Sequence, residues 1–365
     1  MRACLAAICL LPLLANPVYI SDYTGETAED LGIYAVYDTL TEDESAVIGE
    51  MSFDGSMDIG RIMKDISAAL AAKLRQTAGE IQALAVTLCA AAFACAMFKS
   101  VCGDRTTGEY IEIIICAACI PLLVGDVRSL SAGTEAALYR LSGYSEAGLP
   151  AVFAAAAAGG ALSSAAVKYA AMSFALEVLM YLSQTMVLPF INALLALSIA
   201  DSIFPNPFLH SVCAFINKTC VLVLTGLCTL FTVYLSCAGA LSSAVDAASI
   251  KTAKSVISTA LPVVGGVISD ASAAILSAAG IIRTCAGSFG LAAVCVICLA
   301  PFCGLMLRLL MLKLALAIAK CLPVGRLCAL YSGCVQAVSM LMGLLGACSV
   351  MLFISLMSVL KAVNV

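Results

Sequence analysis

Residues 81–98 read "IQALAVTLCAAAFACAMF", eighteen positions without a charged side chain. As an α-helix rising about 1.5 Å per residue, the run covers most of the ~30 Å hydrocarbon thickness of a bilayer. It lacks the polar–apolar alternation of a barrel strand, and a helix satisfies its own backbone hydrogen bonds in lipid. Comparable runs recur at 111–127, 149–167, 169–204, 211–240, 287–305 and 336–360. The run at 169–204 contains Pro189 and exceeds one crossing. The expected fold is therefore an all-α, polytopic integral membrane protein with six to eight transmembrane helices.

Composition agrees with this reading. Apolar residues make up 62% of the 365 positions and charged residues only 12%, against roughly 45–50% and about 25% in soluble domains. The net charge of −4, without a basic cluster, offers no footprint for nucleic acid.

The segments before the first span differ in kind. Residues 1–15, "MRACLAAICLLPLLA", carry one arginine and then an uncharged run of signal-peptide length. They read as a secretory signal cleaved near Ala15, with a short uncleaved anchor as the alternative. Residues 16–58 contain eleven Asp or Glu and no Lys or Arg, as expected of an acidic, partly disordered exported segment. Residues 59–80 place Ile62, Ile66, Ala69 and Leu70 on one helical face and most of the basic residues elsewhere, the pattern of an amphipathic helix on a membrane or partner. The membrane domain then spans 81–365. With an exported N-terminus, the first span runs inward and ends at Lys99 and Arg105, on the side the positive-inside rule expects.

Nineteen cysteines suggest no disulfide framework, since the exported segment has none and seventeen lie in or beside apolar helices. The C-x-x-C pairs, Cys116 with Cys119 and Cys295 with Cys298, lack a histidine or second pair at metal-site spacing and read as packing residues. The single histidine, His210, gives a triad or multi-His site nothing to build on. No catalytic residue, metal ligand or cofactor site is expected.

Two constellations carry more information. Ser173, Glu177, Tyr181 and Gln184 fall on one helical stripe. A carboxylate in mid-bilayer costs at least ~2.5–3.5 kcal/mol, so the stripe faces either a buried hydrogen-bonded seam or a polar lumen. The second is "SSAVDAASIKTAKSVISTALPVVGGVISDASAAILSAAG", Ser242 to Gly280. Lys251 and Lys254 share one helical face, and Asp246 projects on the apolar side. Pro262 ends or kinks the helix, Gly265 and Gly266 permit a reversal, and Ser269 or Asp270 can cap a second helix from about Ala271 to Arg283. A helix-break-helix, re-entrant or interfacial, is expected there.

This block closely resembles the signature of the stage III sporulation protein AE family, most specifically over residues 242–290. The order of signal peptide, exported segment and polytopic domain is similar as well. The resemblance implies a structural, conducting component of the channel complex between mother cell and forespore, needed for forespore development after engulfment. Its implied location is the mother-cell membrane around the forespore, with the N-terminal segment in the intermembrane space. Implied partners are the other stage III A proteins, among them a secretion-type ATPase and ring-forming proteins, and, through the complex, forespore stage II protein Q. The family assigns no catalytic residues. The alternative from the residues alone is a self-contained secondary transporter using Glu177, Asp246 and Lys251.

Overall fold

The computed structural model describes residues 59–102, 105–158, 162–260 and 265–361, and their regular structure is entirely helical. The signal peptide and the acidic segment lie outside the described residues. Helix α1 (Ile59–Cys102) joins the amphipathic segment 59–80 and the first apolar run in one continuous helix. It is followed by α2 (Arg105–Ala158), α3 (Leu162–Leu182), a π-turn at Ser183–Val187, α4 (Leu188–Ile203), α5 (Pro207–Ala260), α6 (Gly265–Lys320) and α7 (Gly325–Lys361).

Six helical segments among the described residues are long and apolar enough to cross a membrane: Ile81–Cys102, Thr106–Glu146, Met172–Ile203, Pro207–Val233, Ala293–Lys320 and Gly325–Leu356. The chain is a multi-pass helical membrane protein. The further apolar run at 149–167 straddles the end of α2 and the start of α3.

Local sequence explains several boundaries. Asn206 accepts the Phe208 N–H through its side chain at 3.0 Å, while Pro207 occupies the first helical position, where its missing N–H costs nothing. Lys99 and Lys320 sit in the last turns of α1 and α6, where a cation favours the helix dipole. In the π-turn, the Leu188 N–H reaches back to Ser183 O. Pro189 follows immediately; it cannot donate, and its ring crowds the preceding turn, so a wider turn accommodates it.

Short turns gather at one end of the bundle. Two residues separate α1 from α2, three separate α4 from α5 and four separate α6 from α7. Toward the other end the helices outrun the bilayer: α2, α5 and α6 have 54, 54 and 56 residues, or about 80 Å each if straight. Charged positions mark the slab between. Nineteen positions separate Glu80 from Lys99 on α1, and nineteen separate the exposed Glu109 from the exposed Arg128 on α2. Each interval is about 28 Å, close to the thickness of a hydrocarbon core.

Helix α7 is the central element, with 56% of its apolar window buried, against 11% for α5. Tyr331 of α7 is fully buried and donates its hydroxyl to Leu88 O of α1 at 3.0 Å. Gly333 lets α7 approach α4, since a Cβ there would stand 2.4 Å from Ser198 Cβ. Small residues at such crossings are what allow close packing in lipid, where no hydrophobic force draws helices together.

Candidate functional site

The three short turns are tied together by charged side chains. Lys99, ending α1, places its Nζ 2.7 Å from Glu112 Oε2 in α2 and donates to Pro323 O at 2.8 Å in the turn before α7. Glu112 is only 4% exposed. Its other oxygen, Oε1, accepts the Arg326 backbone N–H at 2.6 Å. That N–H belongs to the first turn of α7, where donors lack helical partners and the dipole favours an anion. The Arg326 guanidinium in turn donates to Ile203 O, the last carbonyl of α4. A buried carboxylate thus neutralises one helix start, and two cations satisfy orphan carbonyls.

Beside this network lies a cavity of about 650 Å³ lined by Lys99, Glu109, Glu112, Asp201, Pro205 and Arg326 among others. Asp201 Oδ1 accepts the Asn206 N–H at 3.2 Å, and its Oδ2 lies 3.7 Å from His210 Nδ1. The lone histidine therefore sits at the α4–α5 turn beside an acid. Among the described residues no group of three or more His, Cys, Asp or Glu is arranged to hold a metal.

A second ion pair joins α2 and α6. Arg308 Nε stands 2.9 Å from Asp126 Oδ1, with both side chains largely buried and Asp126 Oδ2 unpartnered by hydrogen bonds. Asp126 is fourteen positions, about 21 Å, along α2 from Glu112. The two pairs thus pin α2 near opposite ends of the slab.

The residues singled out from sequence fall elsewhere. Glu177 and Tyr181 are exposed on α3, Ser173 there is partly buried, and Gln184 is partly buried within the π-turn. Glu177 precedes Asp201 by twenty-four positions, about 36 Å along the helix, which brings it toward the far face of the slab. Asp246, Lys251 and Lys254 lie on α5, while Gly265 and Gly266 open α6; Asp270 is the sixth residue of α6 and so does not cap it, contrary to the expectation from sequence. Pro262 lies outside the described residues. Asp246 is thirty-nine positions, about 58 Å, along α5 from Pro207.

The cysteines pack against hydroxyls of neighbouring helices. Cys116 meets Ser202 at 3.8 Å, Cys348 meets Ser183 at 3.6 Å and Cys298 accepts the Ser349 hydroxyl at 3.0 Å. Cys119 lies against the Tyr331 hydroxyl. The fifteen cysteines whose side chains are described are free.

Residues 45–362 match the family of stage III sporulation protein AE. The chain belongs to that family. The match runs through all six spans, both ion-pair clusters and the block at 242–290. Its role lies in sporulation, in a family of structural proteins rather than a known enzyme family. Neither curated proteins nor solved structures yield a match to the chain.

Sequence reasoning missed Glu112, Asp126, Arg308 and Arg326 as site residues. The signal was present, since Glu112 and Asp126 both fall inside the apolar run at 111–127. An acid there calls for a partner from another helix.

Proposed function

We propose that this protein is a structural membrane component of the channel complex joining mother cell and forespore, resident in the mother-cell membrane. The observation that carries this reading is the contrast between the two ends of the bundle. Short turns locked by Lys99, Glu112 and Arg326 close one end; at the other, α5 and α6 continue far past the slab toward the family's signature block. Locked turns suit a rigid scaffold, and long helical arms suit a docking element.

We orient the bundle from its N-terminus: with the acidic segment exported, α1 runs inward and ends at Lys99 and Arg105, so the short-turn end, which also carries Lys320 and Arg326, is read as cytoplasmic. Helices α1, α2–α3 and α5–α6 then extend into the intermembrane space. Asp246, Lys251, Lys254 and Asp270 would contact the ring-forming stage III A proteins there, and through them stage II protein Q. The cytoplasmic face, with its cavity, would meet the secretion-type ATPase. In an oligomer, the exposed Glu177 and Tyr181 would face a neighbouring subunit or a shared lumen.

A self-contained transporter fits less well. Its supposed sites, Glu177 and Asp246, lie about 36 Å and 58 Å from the short-turn end along their helices, away from the mid-membrane level at which transporters bind substrate. Deletion of the coding sequence, followed by compartment-specific re-expression, tests the proposal. Forespores should arrest after engulfment, and expression in the mother cell alone should restore spores. Rescue by expression in the forespore alone would overturn the assignment.

A further inference from the structure

Helix α5 is the most exposed span of the bundle, and its exposed face carries a charge. Ser211, Phe215, Lys218, Leu222, Thr229 and Thr232 are all exposed and fall along one stripe. Three of them are neutral at this depth for a simple reason: Ser211, Thr229 and Thr232 return their hydroxyls to Pro207 O, Thr225 O and Cys228 O of their own helix. Phe215 and Leu222 suit lipid. Lys218 does not, because among the described residues it makes no ion pair or hydrogen bond.

Depth makes this lysine informative. Glu109 lines one cavity with Pro205, two positions before Pro207, and Lys218 is eleven positions, about 16 Å, further along α5 from Pro207. That is the middle of the slab set by Glu109 and Arg128. Even with its stem extended toward the interface, an ammonium rooted there falls short of the headgroups, and an intramembrane charge of this kind ordinarily pairs within protein.

We propose that the outer face of α5, from Ser211 to Thr232, is an intramembrane docking surface for a different membrane protein, whose packed helix presents an aspartate or glutamate at the depth of Lys218. Among the described residues, a second copy of this chain offers no matching group. The exposed acids of the described bundle, Glu109, Glu135, Glu146 and Glu177, lie at or beyond the slab faces. Asp126 is already committed to Arg308. Asp246, on the same helix, is twenty-eight positions away, about 42 Å.

The test places a photo-reactive side chain at position 222 of the full-length chain in sporulating cells, with position 310 of α6, also exposed, as the control face. An adduct specific to position 222 should form with another membrane protein, and its crosslinked helix should carry an acid within two turns of the adduct. Lys218→Glu should abolish the adduct, and reversing that acid to lysine in the partner should restore it. Lys218→Met guards against misfolding: the chain should reach the membrane at normal level yet lose at least ~tenfold in partner recovery. The proposal is overturned by adducts only with a second copy of this chain, by none at position 222, by a partner helix without an acid, or by unchanged partner recovery with Lys218→Met.

Discussion

Glu112 and Arg326 are 214 positions apart in the chain, yet the Arg326 N–H donates to Glu112 Oε1 at 2.6 Å. This contact ties the second span to the start of the last, and Lys99 draws the first span into the same network. Removing the buried carboxylate leaves one cation and one helix-start donor unpaired at once. Glu112→Ala should cost about 3–5 kcal/mol, the range for breaking a buried pair. Lys99→Ala should cost less, since it leaves Glu112 with the Arg326 N–H and beside a cavity that water can enter. Thermal aggregation of the purified chain in detergent measures both, and an equal or reversed order would contradict the central role of Glu112 in the clamp.

Gly333 and Ser198 mark the closest approach of α7 to α4. Gly333→Ala forces a methyl against Ser198 Cβ and should destabilise by about 1–3 kcal/mol, as overpacking does. Ser198→Gly in the same chain should recover part of the loss, a non-additive result expected only of residues in contact. Independent effects in the double variant would place the two helices further apart.

How much of this was legible in the sequence depends on the kind of signal. The spans were legible because a run such as 81–98 has length and apolarity enough to settle its environment by itself. The boundary in the signature block was legible because Pro262 and two glycines cluster within five positions: α5 ends at Ala260 and α6 begins at Gly265, the glycines opening the second helix, whereas the isolated Pro121, Pro150 and Pro301 lie inside helices. That Glu112 needs a partner was legible from its apolar surroundings, but which partner was not, since nothing local in "GEYIEIIIC" says that it will meet residues some two hundred positions later. That pairing is created by three turns converging at one end. The stripe at Ser173, Glu177, Tyr181 and Gln184 assumed a uniform α-helical period; the π-turn at Ser183–Val187 changes the register at its last member.

Two native cysteines test the arrangement of the turns. Cys102 and Cys321 are exposed beside the first and third turns. With the remaining cysteines replaced, both should react with a membrane-impermeant maleimide from the cytoplasmic side. A cysteine at the exposed position of Arg75 should react only from the opposite side. Labelling of Cys102 and Cys321 from different sides would refute an even number of spans between them.

The helical arm carries its own prediction. Asp246→Leu should impair assembly with the partner proteins more than Lys254→Gln, because a carboxylate on the apolar side of the helix needs a protein partner, whereas Lys254 can be met by water or headgroups. Chain levels in the membrane should stay equal in both variants. Normal assembly and sporulation in both would exclude the arm as the docking element.

Membership of the sporulation channel is tested most directly by isolating the full-length chain from engulfed sporangia in mild detergent and measuring what travels with it. Recovery of the ring-forming stage III A proteins and the secretion-type ATPase in fixed ratio to this chain, in one particle, is the expected result. Recovery of the chain alone, while those proteins assemble with one another in its absence, would contradict it.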